Sequence, residues 1–479
     1  MNRKIPLLIG HVGFLMLIAI SVLLANERSI FMDSAVQIFE MIQCDWYAVY
    51  DHRYTMVITQ TLPLICIKLH LPLQVIIVSY SAAAPLLAYS IYILITYILH
   101  DVRLGLTLLL PLLCMRHTFF HAISESFSLM VYAILLAALL LHCPKKEAGF
   151  IRHILHSLCV ALATAAAVFI HPIGMFFVVY LVGYFLVYKR LRPNMQLIVA
   201  SSVLVACVII RSLSISGHDS DYIPTLSDAL FAITHPNEMK VVIGFANRLA
   251  DLYIYPIVLY IVVAVYYIRR REWVRLTYSV LFNVCFIIMT AIVYRSDNSA
   301  VCIERAWMPL IFFAAIPFVC EVTPNTSLRG KYIWLFLMSV ALLMGFIKIV
   351  DTSKHYRQRI NKIKEITEVA NRKGIHKMVT SQDDIQGVFD INSWCTSFES
   401  MLISALQGSE RTINIYIEDE PLLLNNPDYM VTDAFLAVPW WRLWNNSTLR
   451  TQWFHLPKQP FARLYFNDGT PVIERIKAD

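Results

Sequence analysis

Charge is scarce in this 479-residue chain: 15% of its residues are Asp, Glu, Lys or Arg. Soluble globular domains carry about a quarter, so a water-soluble fold is excluded. Glycine is scarce, with 14 in the chain, and no internal repeat stands out. Both speak against a transporter of two inverted halves, which relies on Gly and Pro breaks near the middle of its spans. The ten cysteines form no C-x-x-C pair and no metal-type spacing, which leaves no zinc framework to argue from. Most, such as Cys66, Cys114, Cys159, Cys207 and Cys285, lie in apolar runs and read as small core residues. Cys44, Cys302 and Cys395 would face the outer side, where one disulfide is open but not required. The formal net charge is +7, but the basic excess sits in short loops between apolar runs, so nucleic acid is not an expected partner.

What is abundant is hydrophobic residues, 58% of the total, giving a mean hydropathy of +0.60. The chain reads as a multi-pass membrane protein. Apolar stretches predict about eleven spans, near 5–24, 73–99, 104–120, 126–142, 154–170, 172–188, 196–211, 252–268, 276–293, 306–320 and 332–350. His171-Pro172 reads as a tight hairpin or another kind of break. Tyr54–His70 is apolar but interrupted by Thr55, Thr59, Gln60, Thr61 and Lys68, and reads as an interfacial helix. The first apolar run lacks a small-residue cleavage site and is expected to stay as a span.

Basic residues set the expected orientation. With the N-terminus inside, the inner loops hold Arg3/Lys4, Arg103, Lys145/Lys146/Arg152, Lys189/Arg190/Arg192, Arg269/Arg270/Arg271/Arg275 and Arg329/Lys331. The outer loops between spans have only Lys68 and Lys240 as lysines. This reading divides the chain into a transmembrane part, 1–350, and an extracytoplasmic part, 351–479.

The second part changes character. Asp351–Gly374 is charged and helical in pattern. His376–Ser381, Thr412–Glu418 and Phe461–Phe466 read as strands, and Ser397–Leu406 as an amphipathic helix between the first two. That alternation predicts a small α/β domain. Trp440, Trp441, Trp444 and Trp453 fit either an anchor at the bilayer surface or the core of this domain. The fold class is therefore mainly α: a polytopic helical membrane protein with a small C-terminal α/β domain.

Ionisable residues gather at the outer ends of the predicted spans. They are Asp33, Asp51, His52 and Arg53 in the first loop; Arg116, His117, His121 and Glu125 between the third and fourth spans; His171 after the fifth; and Arg295, Asp297, Glu304 and Arg305 between the ninth and tenth. Ionisable groups at membrane depth are costly and face a cavity or a partner. Arg and His at one face suit a lipid phosphate, and a carboxylate among them suits a general base toward a hydroxyl. Taken singly, each also reads as an interfacial polar residue or a structural ion pair.

The order of these features resembles the GT-C superfamily, the polytopic transferases that use polyprenyl-phosphate sugars. Protein O-mannosyltransferases and the lipid A aminoarabinose transferases belong to it. The catalytic Asp after the first span is matched by Asp33 in Phe31-Met-Asp-Ser-Ala-Val36. The interfacial segment is introduced here by Asp51-His-Arg-Tyr54. A Glu near the fourth span is matched by Glu125 in Ile123-Ser-Glu-Ser-Phe127, and a late outer Arg by Arg305 in Glu304-Arg-Ala-Trp-Met-Pro309. The pattern departs in three places. Ser34 stands where many relatives have a second acid, His52-Arg53-Tyr54 replaces a common His-Pro-Pro, and Ala306 replaces a Tyr.

The resemblance implies an inverting glycosyltransferase in the cytoplasmic (inner) membrane. Its donor would be a polyprenyl-phosphate sugar and its acceptor a glycan, lipid or protein hydroxyl. Asp33 would be the base, and His52, Arg53, Arg116, His121, Glu125, His171, Arg295, Asp297, Glu304 and Arg305 would bind substrate. No acidic pair is assigned to a metal, and a divalent ion remains open. The alternative is a transporter or flippase for a lipid-linked or anionic substrate using the same basic cavity. A polysaccharide polymerase or ligase of another fold is a third reading.

Overall fold

The computed structural model describes residues 3–476 except 124, 145–146, 148, 189–193, 214–224, 236–237, 296–298, 386, 390–393 and 439–440. Lys145, Lys146, Lys189, Arg190, Arg192, Asp297 and Trp440 lie outside the described residues.

Among the described residues, seven helices are long and apolar enough to cross a bilayer: Lys4–Leu23, Leu73–Ile98, Phe150–Ile170, Met195–Leu213, Trp273–Val293, Ala300–Asn325 and Leu328–Arg372. Glu125–Leu141 and Gly174–Tyr188 are shorter apolar helices, and Ile254–Arg270 ends on two arginines. The chain is a multi-pass helical membrane protein. Phe150–Ile170 and Gly174–Tyr188 form the tight hairpin that the His171-Pro172 turn allows. A Cβ on Gly174 would fall 1.8 Å from the Ala167 carbonyl oxygen, so only glycine lets the two helices close this tightly.

The expected helix over 104–120 is instead broken. Helix Val102–Thr107 gives way to single 3-10 turns at Leu110–Leu113 and His117–Phe120. Pro111 cannot donate to a helical ladder. Beyond it, the Glu304 carboxylate replaces the missing helical acceptors: its Oε2 accepts from the Arg116 and Thr118 amides at 2.8 and 2.9 Å and from Thr118 Oγ1 at 3.1 Å. Irregular backbone survives at membrane depth only where protein surrounds it, and Leu108–Met115 is buried throughout. Gly345 of the long last helix makes room for this segment, since a Cβ there would lie 2.9 Å from Leu112 O.

The first loop is largely helical: the expected interfacial helix is present as Met56–Lys68, and an unanticipated one, Asp33–Cys44, precedes it. Helix Asp33–Cys44 buries nine of its twelve residues, and Met56–Lys68 follows as a separate helix. At 1.5 Å per residue the latter is about 20 Å long, too short to span. Gln60 ties the two together, donating to Gln37 Oε1 and Ala48 O and accepting from the Ala48 amide.

Leu328–Arg372 is one continuous 45-residue helix. That is about 68 Å, twice a bilayer core, so its charged second half must leave the membrane. Buried Thr352, Tyr356, Arg359, Ile360, Ile363, Ile366, Thr367 and Ala370 recur at helical spacing along that half. They face the His117–Phe120 turn and the C-terminal domain, with Tyr356 stacked on Phe120 and Arg359 paired with Glu399.

In that domain β1 (Lys377–Ser381) pairs in parallel with β2 (Asn414–Glu418) and with β5 (Ala462–Asn467), and β5 pairs antiparallel with β6 (Thr470–Arg475). The order is β2-β1-β5-β6, with a separate hairpin of β3 (Ala434–Val438) and β4 (Trp441–Asn445). Helix Thr396–Ala405 connects β1 to β2 as the expected βαβ unit. β6 and the hairpin were not anticipated. Trp444 and Trp453 belong to the core alternative. Trp444 packs 5.7 Å from Phe39, and Trp453 donates its indole N–H to Leu71 O at 3.0 Å. Among the described residues no two cysteines form a disulfide.

Candidate active site

Asp33 is the first residue of its helix, directly after Met32, whose φ of 48° is left-handed. Met32 O accepts from the Ala35 and Val36 amides and starts the helix. Two hydrogen bonds bring a distant segment alongside: the Ile123 amide donates to Ser34 Oγ, and the Ala122 amide to Arg28 O. His121 is thereby placed so that its Nε2–H donates to Asp33 Oδ2 at 3.0 Å. Asp33 Oδ1 accepts no hydrogen bond among the described residues, and the side chain keeps 40% of its surface open.

Arg53 reaches the same place through a turn in which Asp51 and His52 both have positive φ. Its Nη1 donates to Glu125 Oε1 at 2.5 Å, and Asp51 stands 3.8 Å away. Glu125 opens helix Glu125–Leu141, where the helix dipole favours a carboxylate. His171, held by the Gly174 hairpin, lies 3.8 Å from the other oxygen of Glu125. Arg305 comes from helix Ala300–Trp307. Its charge acts on Asp33 and Glu125, yet among the described residues its guanidinium makes no hydrogen bond or close ion pair, and its Nε is buried without a partner.

Burial alone would raise the Asp33 carboxyl. The His121 hydrogen bond and the positive fields of His121, Arg305 and Arg53 outweigh it and hold the group below its ordinary 3.8. Burial likewise opposes the Arg53 charge, and Glu125 and Asp51 more than restore it. Among the described residues, an ionised carboxylate with one oxygen free thus lies in the field of a guanidinium whose donors are unused.

The other expected residues sit elsewhere. His52 is exposed and pairs with Tyr54 Oη at 2.8 Å. Arg116 forms an ion pair with Asp251, which also binds Lys348 at 2.9 Å. Arg295 pairs with Asp228. Glu304, expected to bind substrate, is fully buried and holds the 116–118 backbone instead. Asp297 lies outside the described residues.

Two nearby side chains were not singled out from sequence. Tyr80 lies within the fields of Asp33 and Glu125, and buried Arg211 donates to Val168 O near His171. Arg211 carried a signal, being a lone cation at the end of an apolar run; Tyr80 carried none. Among the described residues no three His, Cys, Asp or Glu side chains gather as a metal cage would require.

No family model matches the sequence, and no curated protein matches it. Among solved structures the chain is similar to ArnT from Cupriavidus metallidurans bound to undecaprenyl phosphate, with 10% identity and a TM-score of 0.42 over 87% of this chain and 90% of that one.

Proposed function

We propose that this chain is a membrane glycosyltransferase. It moves a sugar from a polyprenyl-phosphate donor to a hydroxyl of a glycan, lipid or protein acceptor. The observation that carries the reading is that Asp33 and Arg305, 272 residues apart in sequence, act on each other electrostatically without pairing: one offers a free carboxylate oxygen and the other unused N–H donors. Asp33 Oδ1 takes the acceptor proton while the hydroxyl oxygen attacks the sugar C1 from the face opposite the phosphate. The C1–O bond breaks, configuration inverts, and the lipid phosphate leaves as an anion onto Arg305, with Arg53 adding positive field. His121 keeps Oδ2 fixed so that Oδ1 faces the hydroxyl. Preorganised donors of this kind usually supply the largest share of a rate enhancement.

In this reading the N-terminus is cytoplasmic, about eleven segments cross the inner membrane, and Asp33 and the domain from 351 to 479 face outward. The contact between the Phe39 ring and that of Phe398, 4.7 Å apart, supports an outward position shared by both.

The experiment is sugar transfer in membranes from a labelled polyprenyl-phosphate donor, at matched expression. Asp33→Asn should keep the fold and lose about 10²–10⁴-fold in rate. Transfer at the wild-type rate would remove Asp33 as the base. Movement of the labelled lipid across the bilayer with no sugar transferred would favour the flippase reading.

A further inference from the structure

Glu399 belongs to the C-terminal domain, 366 residues beyond Asp33, yet it touches the backbone immediately before it. The carboxylate is fully buried. Oε2 accepts from Arg359 Nε at 3.0 Å and Nη2 at 2.6 Å. Oε1 accepts from the Met32 amide at 2.9 Å and from Cys395 Sγ at 3.5 Å. Arg359 is fixed in turn by Thr396 Oγ1 at 2.9 Å and lies over the Phe389 ring.

The contact falls on an unusual peptide. Met32 has φ 48° and ψ −136°, a conformation that residues with a Cβ rarely adopt and that persists only when its surroundings impose it. The Met32 amide precedes the helix and lies outside its ladder, so it needs an acceptor from elsewhere. Docking of the domain does not require this bond, since Phe39 packs against Phe398, Trp444 and Phe454 one helical turn and more away. The register of Met32 through Ser34 decides where Asp33 meets His121, because Ser34 Oγ holds the Ile123 amide.

We propose that Glu399 is a positioning residue: through the Met32 amide, the C-terminal domain sets the orientation of Asp33 toward His121. This rests on the reading of Asp33 as the base. Misplacing a reacting group by about 1 Å costs on the order of 10²-fold in rate, and that is the effect expected when the acceptor is lost.

The test compares two double variants, each of which removes the buried ion pair whole. Arg359→Met with Glu399→Gln keeps an amide oxygen for Met32; Arg359→Met with Glu399→Met does not. Hydrogen exchange by mass spectrometry on the purified full chain should show faster exchange over 31–36 in the second only, with β1 equally protected in both. Transfer should follow: near wild type in the first, and down by about 10²-fold in kcat with unchanged donor KM in the second. Met32→Gly added to the second should restore part of the rate, because glycine tolerates the left-handed backbone.

Equal exchange over 31–36 and equal transfer in the two doubles would overturn the proposal. Should β1 lose protection in either double, Glu399→Asp decides. It keeps the charge opposite Arg359 but is one methylene too short to reach both partners, so 31–36 should exchange faster, and unchanged exchange would overturn the proposal. The exchange arm needs no turnover, so a wild type without transfer would sink the enzymatic reading alone.

Discussion

Two polar clusters in this helical bundle each set arginine against a carboxylate and differ in whether their groups are satisfied. Around Glu321 every strong group is satisfied. Tyr184 and Tyr267 donate to Oε1 at 2.8 and 2.6 Å, and Arg275 pairs with Oε2 and lies over the Tyr188 ring. Around Asp33 the set is incomplete among the described residues: Asp33 keeps an open oxygen and Arg305 keeps its donors. A closed network of this kind fixes helices to one another and has nothing left for a ligand. An open one at membrane depth is costly unless something completes it. Composition alone would rank the two alike; the hydrogen-bond inventory separates them.

Breaking the closed cluster should give the largest effect on stability. Arg275→Met leaves Glu321 buried and uncompensated, which typically costs about 3–5 kcal/mol. Thermal unfolding in detergent should fall accordingly, while transfer per folded molecule stays at the wild-type rate. A loss of turnover without loss of stability would show that the Glu321 cluster also serves the reaction.

A smaller effect should come from Glu40, which lies on the helix that carries Asp33 and is 8% exposed. Burial raises its carboxyl to about 7. Between its ordinary 4.5 and this value the folded state binds more protons than the unfolded chain, so its contribution to stability falls as pH rises through that window. Glu40→Gln should therefore stabilise the protein by on the order of 1–2 kcal/mol at pH 7.5 and do little near pH 4. Paired melting curves at the two pH values check this, and an equal shift at both would refute it.

Much of the architecture was legible because bilayer thickness imposes long apolar runs, and the βαβ unit was legible because strand and helix periods differ. The broken segment after Pro111 was not, because the group that makes it tolerable, Glu304, lies 186 residues away from Thr118. The same distance effect explains the site. Asp33, Arg53, His121, Glu125, His171 and Arg305 could be listed as outer-end residues, and the structure brings these six together. Arg116, Arg295 and Glu304 looked the same in sequence, yet each is taken up by a partner that no local pattern reveals. Met32 gave no sign at all, since its backbone conformation is set from the C-terminal domain.

The contrast between the open and closed clusters rests on Arg305. Binding of polyprenyl phosphate to the purified protein, compared between wild type, Arg305→Gln and Tyr267→Phe, tests it most directly. Hydrogen bonds from a charged group contribute about 1.5–3 kcal/mol, so Arg305→Gln should weaken binding roughly tenfold or more, and Tyr267→Phe should leave it unchanged. Equal affinity in all three proteins would contradict the assignment of Arg305 to the lipid phosphate.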